Sequence, residues 1–246
     1  MYGQGNNDSP AFWPVWPVYM TGSFFALLES ARMSATTTPR PRTFIYVDGF
    51  NLYYGAIRGG PNKWLDLQRY FRMLRPHDDI QAIRYFSAPI SGPNLANQEA
   101  YLRALETLPL VQVVLGRFKS KQVKCNNTLC THTGSRVFQT QEEKRTDVNI
   151  ALAMLDDAYQ GLCERMILVS GDSDLVPAID LVKQRFPGVE VLVYVPARHK
   201  VRGAAVELRS AADHDRILPL NFLPLAQFPA NIPDGAGSVI SKPASW

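Results

Sequence analysis

Short apolar runs alternating with amphipathic stretches predict an α/β domain, built on a mostly parallel sheet covered on both faces. Two further observations narrow that class. The 246 residues are 46% hydrophobic and 20% charged, a mix that buries a real core and excludes a mainly disordered chain. No run of about 18 apolar residues occurs, so no membrane-spanning helix is expected.

Residues 1–41 are expected to lie outside the fold as a flexible extension. Ser34 to Pro41 has a linker composition, and Met33 is a candidate natural start. The apolar stretch 11–28 lacks a preceding Lys or Arg and is broken by Pro14 and Pro17, which argues against a secretion signal. The domain is expected over residues 42–220. Thr43 to Val47 reads as a buried strand ending in the turn Asp48-Gly49. Apolar residues at 67, 70, 71 and 74 predict a helix within 65–74. A strand over 80–88, a helix over 94–108 and a valine-rich strand over 111–118 follow.

A polar, basic excursion over 119–141 then reads as a hairpin insertion. Beyond it come a helix over 147–159, a strand over 166–170, a helix over 175–185, a strand over 189–195, a helix over 201–211 and a short strand over 216–220. Residues 221–246 include four prolines and are expected to form an extended arm, neither helix nor strand. Phe228, Ile232, Ile240 and Trp246 would lay that arm against the domain.

Lys and Arg exceed Asp and Glu by 26 to 22, a balance that permits an anionic partner without demanding one. Three cysteines, an odd number in a chain this long, do not make a disulfide framework and suit a reducing, cytoplasmic compartment.

Parallel sheets bind ligands beyond the carboxyl ends of their strands, where the strand order reverses. Two of the cleanest strands end there in carboxylates, giving Asp48 and then Asp172 and Asp174. Asp147 opens the helix after the basic excursion, with Glu142 and Glu143 just before it. Each acid alone has an ordinary reading as a helix cap or turn residue. Brought together, they would repel one another, and a divalent cation would relieve that repulsion. Mg2+ and Mn2+ favour several carboxylates plus water, and the chemistry they favour is phosphodiester displacement. Asn51, Thr146 and Ser170 are candidates for binding a substrate phosphate in the same cleft.

Three ordered motifs carry a resemblance. Val47-Asp48-Gly49-Phe50-Asn51, Glu143-Lys144-Arg145-Thr146-Asp147-Val148-Asn149 and Ser170-Gly171-Asp172-Ser173-Asp174-Leu175 resemble those of the NYN-domain (LabA-like) branch of the PIN-like ribonuclease superfamily. The resemblance implies a Rossmann-like PIN-type three-layer sandwich and a metal-dependent endoribonuclease. The matching catalytic and metal positions are Asp48, Asp147, Asp172 and Asp174, with Glu143 a further acid. An RNA-binding scaffold that has lost activity is the alternative within the superfamily. A small-molecule phosphatase using Asp48 as nucleophile is disfavoured, because no second Asp stands two positions on.

Arg117, Lys119, Lys121, Lys124, Arg136, Lys144 and Arg145 make the excursion a positive arm for an RNA backbone, with Lys144 and Arg145 closest in sequence to the acids. Phe118, Phe138 and Tyr85 could stack bases. Cys125, Cys130 and His132 suggest a structural zinc site, though a fourth ligand is not evident and a plain reduced-thiol turn is the simpler expectation.

Overall fold

The computed structural model describes residues 39–198 and 205–246. The expected extension is therefore described only at its last residues, 39–41, and the start of the helix expected over 201–211 lies outside the described residues.

The central sheet consists of β1 (Arg42–Asp48), β2 (Asp79–Ser87), β3 (Val111–Leu115), β6 (Arg165–Val169), β7 (Glu190–Val195) and β8 (His214–Ile217). The order is β3-β2-β1-β6-β7-β8 and every pairing is parallel. Order therefore reverses between β1 and β6, which run in register from Thr43 opposite Arg165 to Val47 opposite Val169. All strands point the same way, so Asp48 and Ser170 emerge side by side.

β1 lies at the centre because it is apolar on both faces. Ile45 and Val47 pack with α2 (Leu67–Leu74) and α3 (Leu95–Glu106) on one side. Phe44 and Tyr46 pack on the other with α4 (Thr146–Tyr159), α5 (Val176–Arg185) and α6 (Val206–Ala211). The result is the three-layer α/β architecture expected. α1 (Gly49–Leu52) follows β1 directly and continues into a π-helical turn over Tyr53–Ile57.

Two buried acids away from the strand ends are fully compensated. Asp78, at the amino edge of the sheet, accepts from Arg75 Nε at 2.9 Å, Arg165 Nη1 at 2.6 Å and the Thr43 hydroxyl at 3.2 Å. Asp157 of α4 pairs with Arg84 and accepts from the Tyr46 hydroxyl at 2.7 Å.

Three expectations are corrected. The strand expected over 111–118 breaks at Gly116, and its second half starts a separate antiparallel hairpin, β4 (Arg117–Lys124) with β5 (Val137–Lys144). The hairpin thus extends beyond 119–141 at both ends. The carboxyl-terminal arm is not purely extended: Leu220–Ala226 form 3-10 turns, and β9 (Asn231–Pro233) pairs with β10 (Val239–Ser241). Its apolar side chains do pack as expected, with Phe228, Ile232 and Ile240 buried against the first helical layer and Trp246 beside them. The last strand is His214–Ile217 rather than 216–220.

Candidate metal centre

β1 delivers Asp48 to the switch point with 2% of its surface exposed. Its carboxylate caps α1 by accepting from Asn51 N at 2.9 Å, and it also accepts from Asn51 Nδ2 at 2.6 Å and from the Ser170 hydroxyl at 3.1 Å. Asn51 Oδ1 accepts from Gly171 N at 3.1 Å, and Ser170 Oγ accepts from Asp172 N at 3.1 Å. These bonds stitch the end of β1 to the end of β6 and fix the start of the acidic turn. Asp172 then caps that turn, its Oδ1 accepting from Asp174 N at 3.0 Å.

The third acid arrives from α4. The Glu143 carboxylate accepts from Thr146 N at 3.2 Å and from the Thr146 hydroxyl, closing the helix start. Arg145, just before it, takes a left-handed φ of 83°, unusual for a residue with a Cβ. Gly116 makes the approach possible. A Cβ there would lie 2.7 Å from Lys144 O and 2.9 Å from both Glu143 Oε1 and Thr146 Oγ1.

Carboxylate oxygens of Asp147, Asp172 and Asp174 lie within 4.8 Å of one another. Among the described residues no Lys, Arg or His pairs with any of the three. Partial burial raises the pKa of Asp147 from 3.8 to about 6, with the charges of Asp172, Asp48, Glu143 and Asp174 adding to the effect. Burial also raises Asp48, partly offset by its bonds from Asn51 and Ser170. Clustered carboxylate oxygens are the hard donors that a small divalent cation takes.

The other expected site residues surround the trio. Asp48 is not one of the three close carboxylates, and its oxygens accept from Asn51 and Ser170. The side chains of Asn51 and Ser170 bond to Asp48, and that of Thr146 bonds to Glu143. Lys144 pairs with Glu142 at 2.9 Å, and Arg145 is exposed with no carboxylate partner among the described residues. Cys125, Cys130 and His132 do not converge: their loop places the thiols half-buried and His132 exposed, and they form no close ligand group. The loop turns instead on Cys130 N donating to Asn127 O at 3.2 Å.

On the hairpin, cross-strand register puts Arg117, Lys144, Lys119, Glu142 and Lys121 on one face, with Phe138 further along it, 52% exposed. Arg117 and Lys144 stand directly opposite, a like-charge pair that an anion between them would relieve. Phe118 points to the other face and packs edge-on against Phe50 at 5.5 Å.

A cavity of about 410 Å3 escaped the sequence reading. Tyr85 and Tyr101 line it from the sheet and α3, Tyr53, Tyr54 and Arg58 from the π-helical turn, and Trp246 from the carboxyl-terminal segment. The sequence signal was the run Phe50-Asn51-Leu52-Tyr53-Tyr54, which has more aromatic rings than a two-sided helix needs.

Comparison with known proteins decides the family. The sequence profile of the NYN domain matches residues 42–219, from the start of β1 to just past β8. The chain belongs to the NYN-domain family. Domains of this family are generally nucleases of the PIN-like kind. The chain is also 31% identical over 237 residues to the 6-hydroxy-3-succinoylpyridine 3-monooxygenase HspA of Pseudomonas putida (strain DSM 28022 / S16), covering 83% of this chain and 75% of that protein. A crystal structure of a protein of unknown function from Vibrio parahaemolyticus RIMD 2210633 shares the fold. It matches with a TM-score of 0.51 at 21% identity, covering 74% of this chain and 96% of that one. No helix among the described residues is long and apolar enough to cross a membrane.

Proposed function

We propose that this NYN domain is an endoribonuclease that hydrolyses RNA phosphodiester bonds with Mg2+ or Mn2+ held by carboxylates. The observation that carries this reading is the uncompensated trio Asp147, Asp172 and Asp174, gathered within 4.8 Å at the reversal of strand order. Those three residues would hold the cation. When bound, it would neutralise charge on the phosphate and lower the pKa of a water for in-line attack. Asp48 acts one step back: with Asn51 and Ser170 it orients the turn that presents Asp172 and Asp174. Arg117, Lys119, Lys121 and Lys144 line the hairpin face as phosphate contacts for a strand entering the cleft, with Arg145 beside them.

The test is incubation of labelled RNA and DNA oligonucleotides with the full chain in Mn2+, Mg2+ or EDTA, beside Asp172→Asn. Metal-dependent cutting of RNA that disappears in the variant is expected. Intact RNA under all conditions, with binding indifferent to EDTA, would replace this reading with that of a non-catalytic RNA-binding scaffold.

A second reading rests on one relative. HspA is named for oxygenation of a hydroxypyridine, and the aromatic cavity here is large enough for such a ring. On that reading the protein would consume a hydroxypyridine acid together with O2 and a reductant. Oxygen uptake dependent on that acid would favour it over RNA cleavage.

A further inference from the structure

Beside the acidic cleft lies a site of opposite character. Helix α1 serves both: Asn51 belongs to the carboxylate network, whereas Gly49, Phe50 and Leu52 line the 410 Å3 cavity. No Asp or Glu side chain lines that cavity, while Arg58 and Lys63 do, and neither cation has a carboxylate partner among the described residues. We propose that this cavity binds a planar heteroaromatic ring carrying an anionic group.

Shape and chemistry agree on that class. The volume suits a ring with one acidic substituent, as in a nucleoside monophosphate or a smaller heteroaromatic acid. Tyr85 and Tyr101 form a buried floor, their rings edge-to-face at 6.1 Å. Trp246 is held edge-on by Trp64 and Tyr101 at 6.2 and 5.8 Å, so its indole is fixed before any ligand arrives. Lys63 Nζ lies over that indole at 5.9 Å, and the Arg58 guanidinium lies over Tyr54 at 5.2 Å. Each cation thus sits beside a ring face, the pairing a stacked ring with an acidic tail requires. Asn94 makes no side-chain hydrogen bond among the described residues, which leaves its amide to read the edge of a heterocycle.

The π-helical turn shapes the outer wall of the cavity. Arg58 N donates to Tyr53 O at 2.7 Å, and the wider turn leaves Tyr53 and Tyr54 exposed, ring to ring at 5.2 Å. Gly55 seats the turn: a Cβ there would lie 2.1 Å from Pro196 O, so only glycine lets it back onto the end of β7. Two exposed tyrosines held this way are a surface prepared for a partner ring.

The same chemistry has two sources, a nucleotide unit of an RNA strand or a free heteroaromatic acid. The proposal holds whichever reaction the carboxylates perform, because its test reads binding alone. Full chain in EDTA is titrated with adenosine and uridine 5′-monophosphates, with adenosine, and with a hydroxypyridine carboxylate, followed by tryptophan fluorescence and calorimetry. Saturable binding of at least one acid is expected, weakened about tenfold or more by Arg58→Ala and by Lys63→Ala. Both substituted side chains reach solvent, and circular dichroism verifies that the variants fold. Preference for the monophosphates over adenosine assigns the site to a nucleotide; preference for the pyridine acid assigns it to a free small molecule. Binding of none of the three acids, or binding unaltered in both variants, would overturn the proposal.

Discussion

The two edges of the central sheet hold carboxylates under opposite conditions. At the amino edge, Asp78 is buried and answered by two arginines and a hydroxyl. At the carboxyl edge, Asp147, Asp172 and Asp174 face one another with no cation among the described residues. Asp78 is buried and must be answered within the chain, whereas Asp147 and Asp172 are half-buried and Asp174 is exposed, so water reaches the second set. The first edge serves stability, and the second, where like charges gather with no cation beside them, is the place to look for function. The contrast is more informative than the acids themselves, which look alike in sequence.

Breaking the compensated edge should give the largest structural effect. Asp78→Ala leaves Arg75 and Arg165 without their shared acceptor and should cost about 3 kcal/mol or more, read by urea denaturation. Breaking the uncompensated edge should do the reverse. Asp172→Asn keeps the capping oxygen for Asp174 N and removes one repelling charge, so the unfolding midpoint should stay level or rise while RNA cleavage falls by at least about a hundredfold. A large loss of stability in Asp172→Asn would erase the distinction between the edges.

Gly116→Ala tests the approach of α4 to the cleft. The added methyl meets backbone and two oxygens of the Glu143–Thr146 cap, so metal-dependent activity should fall about tenfold or more with the sheet intact by circular dichroism. The pH dependence is smaller and has a fixed sign. Asp147 binds its proton up to about pH 6 in the fold but only to about 3.8 when unfolded. Its contribution to metal-free stability is therefore full below about 3.8 and lost as pH rises through about 6, and metal binding, which needs the deprotonated carboxylate, should strengthen as pH rises through about 6. The smallest effect is expected on the hairpin. Lys119→Ala should weaken RNA binding alike for all sequences and reduce the salt slope by about one.

Much of this was legible in the sequence, for physical reasons that also mark where it stopped. β1, β6 and β7 are buried on both faces, and continuous apolar runs with short turns cannot read otherwise. Asp48, Asp172 and Asp174 follow from the rule for strand ends, and Asp147 from the helix that opens after the basic excursion. What the sequence hid was division of labour among polar neighbours. Asn51, Ser170 and Thr146 read in sequence as candidates for a phosphate, and the sequence does not show that their side chains also bond to a neighbouring carboxylate, Asp48 or Glu143. The run 111–118 is rich in valine and reads as one strand, and the crowding at Gly116 shows where it breaks. The carboxyl-terminal prolines disguised 3-10 turns and a hairpin, because Pro224 fits the turns and Pro233 sits on a two-stranded edge. The aromatic cavity joins residues up to 197 positions apart, from Gly49 to Trp246, beyond the reach of any periodicity.

The claim that the uncompensated trio exists to hold a divalent cation is tested most directly by Mn2+ titration of the full chain followed by calorimetry. Wild-type protein should bind Mn2+ saturably, and Asp147→Asn, Asp172→Asn and Asp174→Asn should each weaken that binding about tenfold or more while Glu142→Gln leaves it unchanged. Absence of saturable binding in the wild type, or affinity unmoved by all three substitutions, would contradict the account.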